Sequence, residues 1–211
     1  MTGSDASDRS HPDWWDARYL GGDTPWDTGI VPPEVIVLVD SPVVSRGWSL
    51  DLGCGSGVTS CFLATHGFRV VGVDLSQVAL RRASARAAAS GLPCLFVRAS
   101  VDCLSFVRMQ ATLAIDIGCF HNLTPSGRTS YIRSLAGLLR PGAHYLLYTF
   151  FASESASGTS DPSTAYVVGP ADMAAFAPYF TLLSAAHGQD RERPSAWFHM
   201  RRSDGDLAAP S

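Results

Sequence analysis

Apolar residues in this chain fall into short runs separated by stretches with helical spacing. Trp48-Ser49-Leu50-Asp51-Leu52 is followed by glycines, and Val58 to His66 then reads as a helix. Phe68 to Val73 is short and β-branched, which predicts a buried strand. Ser76 to Ser90 is rich in Ala, Arg and Leu, with Ser76 placed as an N-cap and Gly91 where a C-terminal cap belongs. Cys94 to Arg98 and Leu113 to Ile117 predict a third and fourth strand, Thr129 to Leu139 a helix closed by Pro141-Gly142, and His144 to Phe151 a fifth strand. A short helix is expected around Ala171 to Phe176. Two last strands, Phe180 to His187 and Ala196 to Arg201, are divided by a turn at Gly188-Gln189-Asp190 and the charged run Asp190 to Arg193. The alternation predicts an α/β fold with a doubly wound, seven-stranded sheet, mostly parallel and ending in an antiparallel hairpin.

Between the fifth strand and the short helix, Ala152 to Ala165 is dominated by Ser, Ala, Gly and Thr. That composition suits either a lid or a plain connection. Residues 1–12 and 203–211 read as polar, disordered tails around one domain at 13–202, whose first part, 13–34, carries an aromatic cluster.

Composition removes several functions. With 46% hydrophobic and 17% charged residues in 211, the chain can bury a normal core. A net charge of −3 and scattered Arg give no footprint for nucleic acid, so no nucleic-acid partner is expected. The 16 basic residues are all Arg, so neither a Walker phosphate loop nor a Schiff-base lysine can be built. The 5 cysteines form no CxxC pair, and no His cluster has zinc spacing, so no metal is expected. No apolar run approaches the ~20 residues of a membrane span, and the N-terminus lacks a signal-peptide core. A cytoplasmic protein, monomer or homodimer, is the expectation.

The chemistry is concentrated after the first strand. Asp51-Leu52-Gly53-Cys54-Gly55-Ser56-Gly57 is a strand, a tight glycine turn and a helix start, a device for holding a nucleotide-like ligand. The spacing is GxGxG. A dinucleotide fingerprint would carry Gly or Ala where Val58 stands. Asp51 before the turn suits a ligand with a positive amino group. Asp74, at the end of the second strand, can accept both hydroxyls of a ribose.

Leu50 to Gly57 together with Val71-Gly72-Val73-Asp74-Leu75-Ser76 resembles the class I S-adenosylmethionine-dependent methyltransferases, which have a Rossmann-like fold. Leu139-Arg140-Pro141-Gly142 is similar to that family's turn before the fifth strand, with Ala143 departing from a second glycine. Trp15-Asp16-Ala17-Arg18-Tyr19 and Asp23-Thr24-Pro25-Trp26-Asp27 look like the leader of the subgroup with thiopurine, thiol, halide and tellurite-resistance-type methyltransferases. Asp116-Ile117-Gly118-Cys119-Phe120-His121 is similar to an element that many members carry after the fourth strand.

The resemblance implies S-adenosyl-L-methionine as cofactor, S-adenosyl-L-homocysteine as product and a small-molecule methyl acceptor. It implies cofactor contacts from Trp15, Trp26, Asp51, Gly53, Cys54, Gly55, Gly57, Asp74, Leu75 and Ile117. Such proteins often end the third strand in an acid that reads the adenine amino group; here Ser100 stands in that position and Asp102 two residues on, with Asp102 the expected reader and Ser100 the alternative. Trp14, Trp15, Tyr19 and Trp26 are expected to cover the cofactor, whose sulfonium suits an aromatic face. Asp116 and His121 are the catalytic candidates, His121 as a base; the alternative is a ring packed with its nitrogens satisfied. Cys119 is read as an apolar filler. His66, His144, His187 and His199 are read as structural. A soft acceptor such as a thiol is favoured. O- or N-methylation of a secondary metabolite, or a cofactor-binding module without catalysis, are the alternatives.

Overall fold

A computed structural model describes residues 9–104, 109–152 and 167–204. The ends of the expected tails (1–8 and 205–211) and residues 153–165 of the expected lid or connection lie outside the described residues. The chain packs as two compact units, residues 1–101 and 102–211.

The first unit opens with two helices, α1 (Pro12–Gly21) and α2 (Pro33–Asp40), in the segment expected to carry the aromatic cluster. Each has a proline in its first turn, where the missing N–H costs no hydrogen bond. Then follow β1 (Trp48–Leu52), α3 (Val58–Thr65), β2 (Arg69–Asp74), α4 (Gln77–Ala89) and β3 (Cys94–Arg98). The strands lie side by side as β3-β2-β1, all parallel, with Leu50 opposite Val71 and Val71 opposite Leu95. Central β2 is buried along Val70 to Val73, as a β-branched run without alternation requires. Ser76 caps α4 through Ala79 N–H at 3.0 Å, as expected.

The second unit holds β4 (Ala111–Ile117), a 3₁₀ turn (Phe120–Asn122), α5 (Pro125–Leu138), β5 (Leu139–Phe150), α6 (Pro170–Ala174), β6 (Phe180–Asp190) and β7 (Arg193–Arg202). Its strands run β4-β5-β7-β6; β4 and β5 are parallel, while β7 is antiparallel to both neighbours. Seven described strands thus make the mostly parallel Rossmann-like α/β architecture with an antiparallel C-terminal hairpin. No helix among the described residues is long and apolar enough to cross a membrane.

Several boundaries differ from the sequence reading; β5 opens at Leu139 rather than His144, so Pro141-Gly142, expected to close the helix, lies inside the strand. The helix expected from Thr129 begins at Pro125, because Thr124 accepts Gly127 N–H at 3.1 Å and Pro125 takes the first helical position. The short helix is α6, Pro170–Ala174, rather than 171–176. The hairpin turn is Arg191-Glu192, not Gly188 to Asp190. Pairing continues through Gly188 opposite Ser195 to Asp190 opposite Arg193, leaving two residues with φ of 47° and 69° to reverse the chain. A two-residue loop of that hand matches the strand twist, although glycine or asparagine would adopt it with less strain.

The core of the second unit is polar at its centre. Asp116 is 0% exposed. One of its carboxylate oxygens accepts Tyr131 O–H at 2.7 Å, and the Tyr131 and Tyr145 hydroxyls are 2.9 Å apart. Burial, and then the Asp116 charge, push both phenols well above their ordinary range, so they stay protonated and able to donate. A buried carboxylate stripped of a donor costs the full desolvation of the lost partner. Tyr131→Phe is therefore expected to lower unfolding free energy by about 1–3 kcal/mol, read as an earlier urea midpoint; an unchanged midpoint would show that the hydroxyl holds nothing.

Candidate functional site

The glycine turn is built from the ends of β1 and β2. The amides of Gly53 and Cys54 donate to Val73 carbonyl at 2.8 and 3.0 Å, and Gly57 N–H closes the turn on Cys54 carbonyl at 2.9 Å. Gly55 and Gly57 have φ of +53° and +79°. A Cβ on Gly57 would come within 2.7 Å of the Ala83 Cβ, so its absence lets α4 approach. A Cβ on Gly55 would stand 2.7 Å from the Tyr19 hydroxyl. The loop therefore has open surface only if it lacks side chains.

Two acids flank it. Asp51 is 2% exposed and accepts Ser60 O–H at 2.6 Å. Burial, partly offset by the Ser60 hydrogen bond and reinforced by the Asp74 charge, pushes its carboxyl up to about 6. Asp74 accepts Gly55 N–H at 2.9 Å on one oxygen and Ser76 N–H at 2.8 Å on the other. Burial also raises its carboxyl despite these amides. The Leu75 amide also reaches this carboxylate, so an incoming hydroxyl would share its oxygens with three amide donors. Leu75 follows Asp74, and Ser100 lies just beyond β3.

The expected aromatic leader folds as α1 and the turn after it. Trp14 and Trp15 meet edge-on at 4.7 Å, Trp15 and Trp26 at 5.6 Å, and Tyr19 and Trp26 at 6.3 Å. Trp15 donates to Arg9 carbonyl at 2.7 Å, and Trp26 to the Tyr19 hydroxyl at 3.2 Å. Trp26 remains 43% exposed.

Polar contacts that the sequence did not suggest tie this leader to the loop. Asp27 accepts Ser56 O–H at 2.7 Å. Asp16 accepts Ser76 O–H at 2.6 Å and Val78 N–H at 2.9 Å, which adds a second cap to α4. Burial works to raise the Asp16 carboxyl, but those two hydrogen bonds with Arg98 and Arg81 bring it below its ordinary value. Asp16 and Asp27 lie inside the quoted leader motifs, yet partners about 60 and 30 residues away leave no local sequence signal.

In the second unit, the other oxygen of Asp116 accepts Cys119 N–H at 2.7 Å and Phe120 N–H at 3.4 Å, holding the turn that carries His121. His121 is buried, with Nδ1 3.4 Å from Phe150 N and 3.4 Å from Thr149 Oγ1. A backbone N–H can only donate, so Nδ1 is the acceptor and the neutral ring carries its proton on Nε2. Arg128 donates to the His121 carbonyl at 3.2 Å and pairs with Asp172 at 2.8 Å. Asp102 lies where a Cβ on Gly127 would be 3.0 Å from its carboxylate. Ile117 ends β4. His144 and His199, on separate strands, meet at 2.9 Å across β5 and β7, a pairing that sequence spacing hid.

Residues 50–142 match the family described as "Methyltransferase domain". The chain is 31% identical over 134 residues to a 2-heptyl-1-hydroxyquinolin-4(1H)-one methyltransferase of Mycobacteroides abscessus, covering 63% of this chain and 59% of that protein. It is 27% identical over 145 residues to a probable thiol methyltransferase of Arabidopsis thaliana, covering 68% and 64%. It thus spans less than two thirds of either relative's length. In fold it is similar to the Burkholderia thailandensis 1,6-didemethyltoxoflavin-N1-methyltransferase, solved with 1,6-didemethyltoxoflavin and S-adenosylhomocysteine. The TM-score is 0.73 at 21% identity, over 93% of this chain and 87% of that one.

The raised Asp51 carboxyl links stability to pH. Its folded value near 6 exceeds the unfolded value of about 3.9, so the folded state holds the extra proton between the two. Stability is expected to fall as pH rises from about 4 to 6 and to level off above. Asp51→Asn should flatten that slope in chemical denaturation and stabilise the unliganded protein at pH 7; an unaltered slope would reject it.

Proposed function

We propose that this protein, whose residues 50–142 match the family described as "Methyltransferase domain", transfers a methyl group from S-adenosylmethionine to a small-molecule acceptor, with a soft nucleophile such as a thiol favoured. The observation that carries this reading is the pair of acids at the carboxyl ends of β1 and β2, both raised by burial, beside a turn stripped of side chains. Such a place is short of positive charge and of hydroxyl donors. A ligand with an amino group and a ribose supplies both.

The bound cofactor contributes an electrophilic methyl carbon on a positively charged sulfur. The chain's own residues bind and orient it. Asp74 accepts the ribose hydroxyls, and Asp51 balances the amino group. Gly53, Cys54, Gly55 and Gly57 form the floor, and Trp15 and Trp26 offer ring faces to the cation. Asp116 acts through the turn as a positioning residue for His121.

The tautomer of His121 supports the lean to a thiol. With Nδ1 receiving Phe150 N–H, Nε2 presents a proton rather than a lone pair, so the ring is poorly set to deprotonate an alcohol. A thiol needs less help, because its thiolate forms near pH 8. A second reading, O-methylation of a heterocycle, is favoured by the similarity to the hydroxyquinolone methyltransferase.

Asp74→Ala is expected to weaken S-adenosylhomocysteine binding by at least about 100-fold, the loss of two hydrogen bonds to a charged acceptor at roughly 1.5–3 kcal/mol each. Calorimetry measures it, with circular dichroism as the check on folding; full-strength binding by a folded variant would remove the ribose assignment. Methyl transfer across thiol, phenol and amine panels should be fastest for thiols. His121→Ala should slow thiols less than about tenfold, below the 10²–10⁴ of a general base. Phenols leading the panel would favour the second reading, and cofactor binding without turnover on any panel would indicate a non-catalytic module.

A further inference from the structure

The face of β5 that does not enter the second unit's core changes character along its length. Tyr145, Leu147 and Thr149 point to one side and are buried. On the other side His144 and Leu146 are buried too, but Tyr148 and Phe150 are only half-buried. The opening is therefore confined to the carboxyl end of the strand, the end at which open α/β sheets receive their ligands.

What stands at that end is a row of rings. Trp197, opposite Tyr148 in the register of β5 and β7, lies 5.0 Å from the Tyr148 ring. Tyr148 is 6.2 Å from Phe150, and Phe150 is 4.7 Å from His121. The Tyr148 hydroxyl donates to Asp190 at 3.0 Å, which fixes the ring's rotation. The guanidinium carbon of Arg193 sits 3.6 Å from the Phe150 centroid, at van der Waals contact with the ring face. A guanidinium is flat and delocalised, and it stacks where a flat ring would stack. The surface over Phe150 already holds a planar group.

We propose that the row Trp197, Tyr148, Phe150 and His121 is the wall against which the methyl acceptor docks, and that it selects a flat aromatic or heteroaromatic acceptor over a puckered or open-chain one. The inference rests on the methyltransferase reading and deepens it: the acceptor atom is one question, and the body that carries it is another. Aliphatic acceptors bury area on the wall, but only a planar π-system adds the stacking preference that such rings exert. Arg193 yields its place or sandwiches the entering ring.

The test is equilibrium binding, at a pH where both are un-ionised, of two thiols of similar size, benzyl mercaptan and cyclohexylmethanethiol, with and without saturating S-adenosylhomocysteine. The aromatic member is expected to bind about tenfold more tightly, the scale of an aromatic pair beyond its area. Phe150→Leu and Trp197→Leu should each remove most of that ratio while cofactor affinity and Tm stay put. Equal affinities in the native protein, or a preference that survives both substitutions, would overturn the proposal. Cofactor binding is titrated separately, so its failure would strike the methyltransferase reading, while the ratio between the two thiols still judges the wall.

Discussion

Two carboxylates held out of water at the ends of neighbouring parallel strands set the terms for the first unit. Parallel strands deliver their C-terminal residues to one edge of the sheet, so Asp51 and Asp74 arrive side by side by topology. Burial disfavours the charge on each, and the charge on Asp74 disfavours that on Asp51. The fold tolerates this because Ser60 donates to Asp51, and the amides of Gly55 and Ser76 donate to Asp74. The strain is electrostatic, and a cationic, hydroxyl-donating ligand of the kind proposed above would relieve it.

The leader acts on the same edge from the other side. Asp16 and Asp27 reach Ser76 and Ser56, so the segment bearing Trp15, Tyr19 and Trp26 is tethered to the N-cap of α4 and to the glycine turn itself. Tyr19 fills the space that a side chain on Gly55 would take. The aromatic cluster is thus placed by polar anchors, and its rings are held edge-on to one another.

In the second unit the same economy of buried charge serves orientation. Asp116 spends one oxygen on the turn and the other on Tyr131, and the turn delivers His121 against the end of β5. The backbone N–H of Phe150 then decides which ring nitrogen carries the proton.

Much of this was legible in the residues. The period of the apolar runs determined seven strands and their alternation with helices, because buried parallel strands must be continuous and β-branched. GxGxG determined the tight turn between β1 and α3, since only glycine adopts those turn angles without cost. Local signals failed where capping and pairing outran them: α5 starts at Pro125, and the hairpin runs on to a strained Arg191-Glu192 turn that no glycine advertises. The tertiary structure alone decided that Asp16 caps a helix about 60 residues away, that Asp116 holds a turn, that His121 presents Nε2–H, and that His144 meets His199. Each depends on distances between segments remote in sequence, and a one-dimensional pattern carries no information about which remote polar groups will find one another once the apolar faces have closed.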